Sequence, residues 1–165
     1  IGSGVDIGAG SVLGAAGFGL EKTGDGVVKL PHVGIVVIDN FVSLGSGCAI
    51  DRGSLGDTHI GEHVMIDNLC HIAHNVTIGA KSIIAGQCGI SGSVTVGADV
   101  TMGGQVGIAQ HVKVGDGAVL TARSGVTKDI EEGDQVAGFP AMSKRQFWRE
   151  QATLRRLGKL KAPKS

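Results

Sequence analysis

Ile60-Gly61-Glu62-His63-Val64-Met65-Ile66-Asp67-Asn68-Leu69-Cys70-His71-Ile72-Ala73-His74-Asn75-Val76-Thr77-Ile78 places an aliphatic residue at every sixth position. The rhythm continues through Ile84, Ile90, Val96, Met102, Ile108, Val114 and Leu120 to Val126, twelve filled slots in succession. A second inward candidate follows each aliphatic by four places, as at Val64, Cys70, Val76, Cys88, Val94 and Val106. A period of six matches neither the helical 3.6 nor the two-fold repeat of a plain strand. It matches a short strand and a turn, repeated. Three such units close a triangular coil of about 18 residues, and stacked coils pair at about 4.8 Å. The fold class expected is an all-β solenoid, a left-handed parallel β-helix of hexapeptide repeats, although spacing alone carries no handedness.

Composition agrees. Glycine accounts for 29 of 165 residues, tyrosine is absent and aromatic residues total 3%. Small branched side chains must therefore fill the core, which suits a thin stacked structure. With 42% hydrophobic and 18% charged residues the chain is not of disordered composition. Its formal net charge is zero, so no global field draws it to nucleic acid. No apolar run reaches the ~20 residues of a membrane span. Cys48, Cys70 and Cys88 are odd in number, lack a CxxC spacing and fall on interior slots, so they read as buried thiols.

The rhythm begins at Ile1 and Ile7, breaks over an excursion of about residues 17–36 and resumes at Ile38, Leu44 and Ile50. Thr23-Gly24-Asp25-Gly26 marks a projecting hairpin within the excursion. Gly56-Asp57-Thr58-His59 is a four-residue insertion at a corner. The reading divides the chain into a β-helix over 1–140, ending its regular coils near Asp129, and a basic helical tail over 141–165. The helix is expected from Met142 to Lys161, with Lys and Arg set against a single acid, Glu150. Such a helix needs the prism or a neighbouring chain to lie on. Three flat sides and open ends favour a homotrimer. Because a repeat unit is already under way at Ile1, an upstream part is expected to have been removed.

Register selects the site. His74 is the third residue of its hexad and His111 the fourth, so both point outward, roughly 10 Å apart at the coil spacing. Asn68, His71 and Asn75 flank His74, and Asp67 is expected to orient its ring. Gly92 lies 18 residues on, one coil along, where its N–H can face a developing oxyanion. A base beside a backbone donor is the minimum for acyl transfer. A zinc site of His71, His74 and His111 is a second reading, disfavoured because His71 and His74 occupy different slots. His32, His59 and His63 read as surface residues.

Gly17-Phe18-Gly19, Lys29-Leu30-Pro31, Ile50-Asp51-Arg52-Gly53, Ile66-Asp67-Asn68, Ile72-Ala73-His74-Asn75-Val76, Ala85-Gly86 and Gly138-Phe139-Pro140-Ala141 occur in that order. With them the chain resembles the UDP-3-O-acylglucosamine N-acyltransferases of lipid A synthesis, over nearly its whole length. The resemblance implies a cytoplasmic, homotrimeric enzyme. It would move a 3-hydroxyacyl chain from the phosphopantetheine of acyl carrier protein to the 2-amino group of a UDP-linked lipid precursor, with no further cofactor and no metal. It implies His74 as general base, Gly92 as backbone oxyanion donor and His111 as the second active-site histidine. Substrate would meet Asp67, Asn68, Asn75 and Gly125, the last giving room for a long acyl chain. Lys144, Arg145, Arg149, Arg155 and Arg156 would meet the acidic carrier protein. The resemblance also implies an N-terminal uridine-binding domain, and since the sequence begins inside the coils, either that domain is expected to have been cut away or the chain to be a short relative. Another hexapeptide-repeat acyltransferase, a zinc-dependent hydratase and a non-catalytic trimeric scaffold are the alternatives.

Overall fold

In a computed structural model, which describes residues 1–158, two-residue strands recur every six positions and stack into three parallel sheets. One face has eight strands, including those of Leu44, Ile66, Ile84, Met102, Leu120 and Val136. The second has six and carries Leu13, Ile50, Ile72, Ile90, Ile108 and Val126. The third has five, from Ile38 to Val114. Register is in steps of one coil. Ile72 pairs with Ile50 on one side and Ile90 on the other, so like stacks on like along the axis. The hexad aliphatics and the second inward column, Val64, Val76, Val94, Val100 and Val106, form one continuous buried core.

The small residue after each aliphatic answers to clearance rather than to turn geometry. A β-carbon on Gly61 would sit 2.9 Å from the Ala80 nitrogen of the next coil. The left-handed backbone falls two residues later and mostly on non-glycine side chains, as at Asn75, Ser93 and His111 with φ of 59°, 61° and 63°. That conformation costs roughly 1–2 kcal/mol for an ordinary residue. Here it aims the Ser93 and His111 N–H groups at the His74 and Gly92 carbonyls one coil back, at 3.0 and 3.2 Å.

Two boundaries differ from expectation. The prism does not end at Asp129. After Val126 the next inward residue, Ile130, comes four places on instead of six, and it still bridges to Val114. Gln135–Ala137 then extends the eight-strand face, pairing with Val119–Leu120. Helix also starts later than Met142, because Met142–Ser143 turns back antiparallel against that last strand. The helix runs Lys144–Leu157, with the Ser143 hydroxyl accepting from the Gln146 N–H at 3.2 Å. Leu160 and Lys161, expected at its end, lie outside the described residues. Phe147 rests beside Gly138, but no helical residue is fully buried and Trp148 is exposed. The excursion forms the hairpin, Leu20–Thr23 against Gly26–Lys29, with every residue of both strands exposed.

Cys48, Cys70 and Cys88 are buried in one interior column. Their sulfurs donate to the carbonyls of Asp67, Ala85 and Gly103 at 3.2, 3.3 and 3.2 Å. Burial raises the Cys48 thiol pKa, and the Cys88 sulfur together with burial raises that of Cys70, whereas the hydrogen bond with Cys70 lowers that of Cys88 to about 7. Burial rather than acidity shields all three from a reagent, so folded protein at pH 8 will leave an aromatic disulfide reagent unreduced, and three thiols will titrate only after denaturation. Rapid modification of any one without unfolding would contradict this placement.

Candidate active site

The corner between the six-strand and five-strand faces opens as a cleft of about 540 Å³. His74, Gly92 and Gln110 line its floor on successive coils, and Phe18 and Phe139 stand at its rim. His74 is half-buried, and the network around it fixes its tautomer. Asn75 Oδ1 accepts from the Ser54 N–H at 3.0 Å and from the Ser54 hydroxyl at 2.7 Å. An atom that accepts from a backbone N–H is the amide oxygen. The same oxygen lies 3.0 Å from His74 Nδ1, so that nitrogen carries the hydrogen and Nε2 is left with its lone pair. The Asn75 N–H donates to Thr58 Oγ1 at 2.9 Å, which holds this residue in its left-handed turn. Ser54 lies just before the corner insertion and Thr58 within it, so the insertion serves to orient the ring.

Nε2 faces Gly92. A β-carbon there would lie 2.7 Å from His74 Nε2 and Cε1, so only glycine leaves the ring its place. At Ser3, Ser46 and Ala98, the same slot in other hexads, the N–H is capped by Asn40, Asn68 and Asp116 of the following coil, each at 2.8 Å. The following coil presents Gln110 to Gly92, and the Gly92 N–H donates to nothing among the described residues. It is available to a ligand oxygen.

Along the six-strand face the outward column reads His71, Gly89, Gly107, Gly125. A β-carbon on Gly89 or Gly107 would meet no atom within 4 Å. Packing does not require glycine there; what its absence of side chain provides is a trough. His71 stands at one end, its Nε2 3.7 Å from Oδ2 of Asp51, whose side chain is 10% exposed. At the other end the Phe139 ring lies directly over Gly125 and occupies the space that a β-carbon would need. The room for a long chain expected at Gly125 is thus taken up by the Phe139 ring.

Other sequence-derived candidates separate. Asp67 does not orient His74. It lies at the preceding corner, where it accepts from Asn68 Nδ2 at 2.6 Å, because seven residues span a whole side of the triangle. Asn68 caps the Ser46 N–H and stands outside the cleft. Gln110 occupies the slot two coils from His74. His111, one residue further, is turned out at the left-handed corner above Ser93 and does not line the cleft. No three His, Cys, Asp or Glu side chains converge to hold a metal among the described residues. The basic residues Lys144, Arg145, Arg149, Arg155 and Arg156 are exposed on the helix. His63 is exposed and stacks on Phe41, and His59 meets Asp39 at 2.9 Å. His32, expected at the surface, is buried at 8% exposure with its ring against His74. Gly89 and Gly107 are further site residues, and their 18-residue spacing is the signal in the sequence that marks them. No local motif announces the orienting role of Asn75 and Ser54.

A model described as bacterial transferase hexapeptide (six repeats) matches residues 57–92, a span that includes both His74 and Gly92. UDP-3-O-acylglucosamine N-acyltransferase from Caulobacter vibrioides is 51% identical over 83 residues, 50% of this chain and 24% of the relative. The protein of that name from Saccharophagus degradans is 54% identical over 74 residues, 45% and 22% of the two chains. This chain thus aligns with about a quarter of the length of the curated relatives it matches. The solved UDP-N-acetylglucosamine O-acyltransferase of Moraxella catarrhalis superposes with a TM-score of 0.75 at 25% identity, over 93% of this chain and 61% of the other. A UDP-N-acetylglucosamine acyltransferase from Bacteroides fragilis reaches 0.78 at 21% identity, over 91% and 58%, a likeness of fold. The fold is the left-handed β-helix class expected from the hexads.

Ring-labelled histidine will show His74 as a single Nδ1–H species in the native protein. In Asn75→Ala the signal will move to the averaged pattern of a free imidazole.

Proposed function

We propose that this prism is an N-acyltransferase that moves a 3-hydroxyacyl group from acyl carrier protein to the 2-amino group of a UDP-linked 3-O-acylglucosamine. The observation that carries the reading is the bare Nε2 of His74 facing the unused N–H of Gly92 across a cleft. Relatives bearing that activity's name are 51% and 54% identical over 50% and 45% of this chain. The amine attacks the thioester carbonyl while Nε2 takes the amine proton, and negative charge gathers on the carbonyl oxygen against the Gly92 N–H. Collapse expels the phosphopantetheine thiol, which leaves with the proton from His74. The acyl chain lies over Gly89 and Gly107, and Phe139 closes its far end. Exposed Met65 and Ile83 on the eight-strand face suit a homotrimer in which a neighbour covers the cleft. The basic helix suits an acidic carrier protein, and the setting is the cytoplasm. His111, Asp67 and Asn68 stand outside the cleft, so the reading rests on His74, Gly92 and Asn75.

Transfer from 3-hydroxyacyl carrier protein will fall about 10²–10⁴-fold in His74→Ala, the range for loss of a general base. A rate within a few-fold of the parent would remove His74 from that role. Phe139→Ala opens the rung over Gly125, so a series of donors will show the preferred acyl chain lengthening. Unchanged preference would show that the chain does not reach Phe139.

A further inference from the structure

His32 follows the hairpin in the sequence Leu30-Pro31-His32, and the structure carries it inward to His74. The two rings meet edge to face, with centroids 5.0 Å apart and planes at 70°. His32 Nδ1 lies 3.1 Å from the Leu30 carbonyl, which can only accept, so this nitrogen is the donor. Its Nε2 is buried without a partner. A buried polar atom left unpaired disfavours the folded state, and an apolar ring would fill the same space without that cost.

The slot is built by the preceding motif. A β-carbon on Gly17 would lie 2.9 Å from His32 Nε2 and 3.0 Å from His74 Cβ and Cδ2. On Gly19 it would lie 2.8 Å from His32 Cε1. Both glycines of Gly17-Phe18-Gly19 are therefore needed for the two imidazoles to meet. Elsewhere the hairpin is exposed along both strands. One hydrogen bond, donated by Nδ1 to Asn75 Oδ1, pins the His74 ring, but the terminal torsion of histidine is broad and needs a second restraint. The His32 ring supplies it against the ring plane.

We propose that His32 is a positioning residue for His74, holding the imidazole in the plane that aims Nε2 at Gly92 and making the hairpin part of the site. The catalytic consequence rests on the N-acyltransferase reading; the positional claim does not. The test uses the full chain with ring-labelled histidine, the His74 signals being assigned by their loss in His74→Gln. In His32→Ala the single Nδ1–H pattern of His74 will give way to an averaged one, and kcat will fall about 10²-fold with KM little changed, as misplacement of a reacting group does. His32→Phe keeps the ring contact and will restore both the pattern and most of kcat. A His74 pattern unchanged in His32→Ala overturns the proposal. So does a His32→Phe protein with an averaged pattern, and this variant decides the matter if the alanine variant does not fold. If the parent protein shows no acyl transfer, the functional reading falls while the spectra still decide His32.

Discussion

Every coil is hydrogen-bonded to the next through backbone groups on all three faces, and that ladder sets everything else. The ladder ties each residue to a neighbour one coil away, so side chains are arranged in columns rather than in local motifs. Interior columns must carry similar small branched groups, because a large side chain on one rung would crowd those on both sides. That is why the core manages with so few aromatic residues. The same ladder brings His74 and Gly92 together at a sequence distance that no loop-based site would use.

The outward columns show how a uniform scaffold acquires a specific surface. At Gly61 glycine is forced by the backbone of the next coil, whereas at Gly89 and Gly107 nothing in the fold demands it. Glycine of the second kind weakens a strand without helping it pack, so its reason lies outside the chain's own stability. Local departures from the repeat gather at the same corner. The insertion brings Ser54 to Asn75, and the excursion delivers Gly17 and His32. Rule-breaking segments at a functional site are the expected pattern in an otherwise consistent fold.

How much could be read without coordinates follows from the same logic. The hexads disclosed the solenoid, the interior position of the three thiols and the stacking of Gly92 on His74, because each depends on a fixed period. Where the period slips, inference slips with it. Ile130 arrives two residues early, so the last coil went unseen. His111 is one residue past a whole number of coils, which turns it from the cleft floor to the corner. Asp67 looked close to His74 along the chain, but one side of a triangle separates them. His32 was not legible at all, since an excursion without period gives no rule for where its end returns.

One feature of the helix also decides how this molecule can be watched. The chain has a single tryptophan and no tyrosine, and Trp148 is exposed on the Lys144–Leu157 helix rather than among the coils. Intrinsic fluorescence therefore reports on the surroundings of that helix and is nearly blind to the prism. A partner settling over the helix would change the emission without any change of fold, while loss of the coils would have to be followed through the peptide backbone.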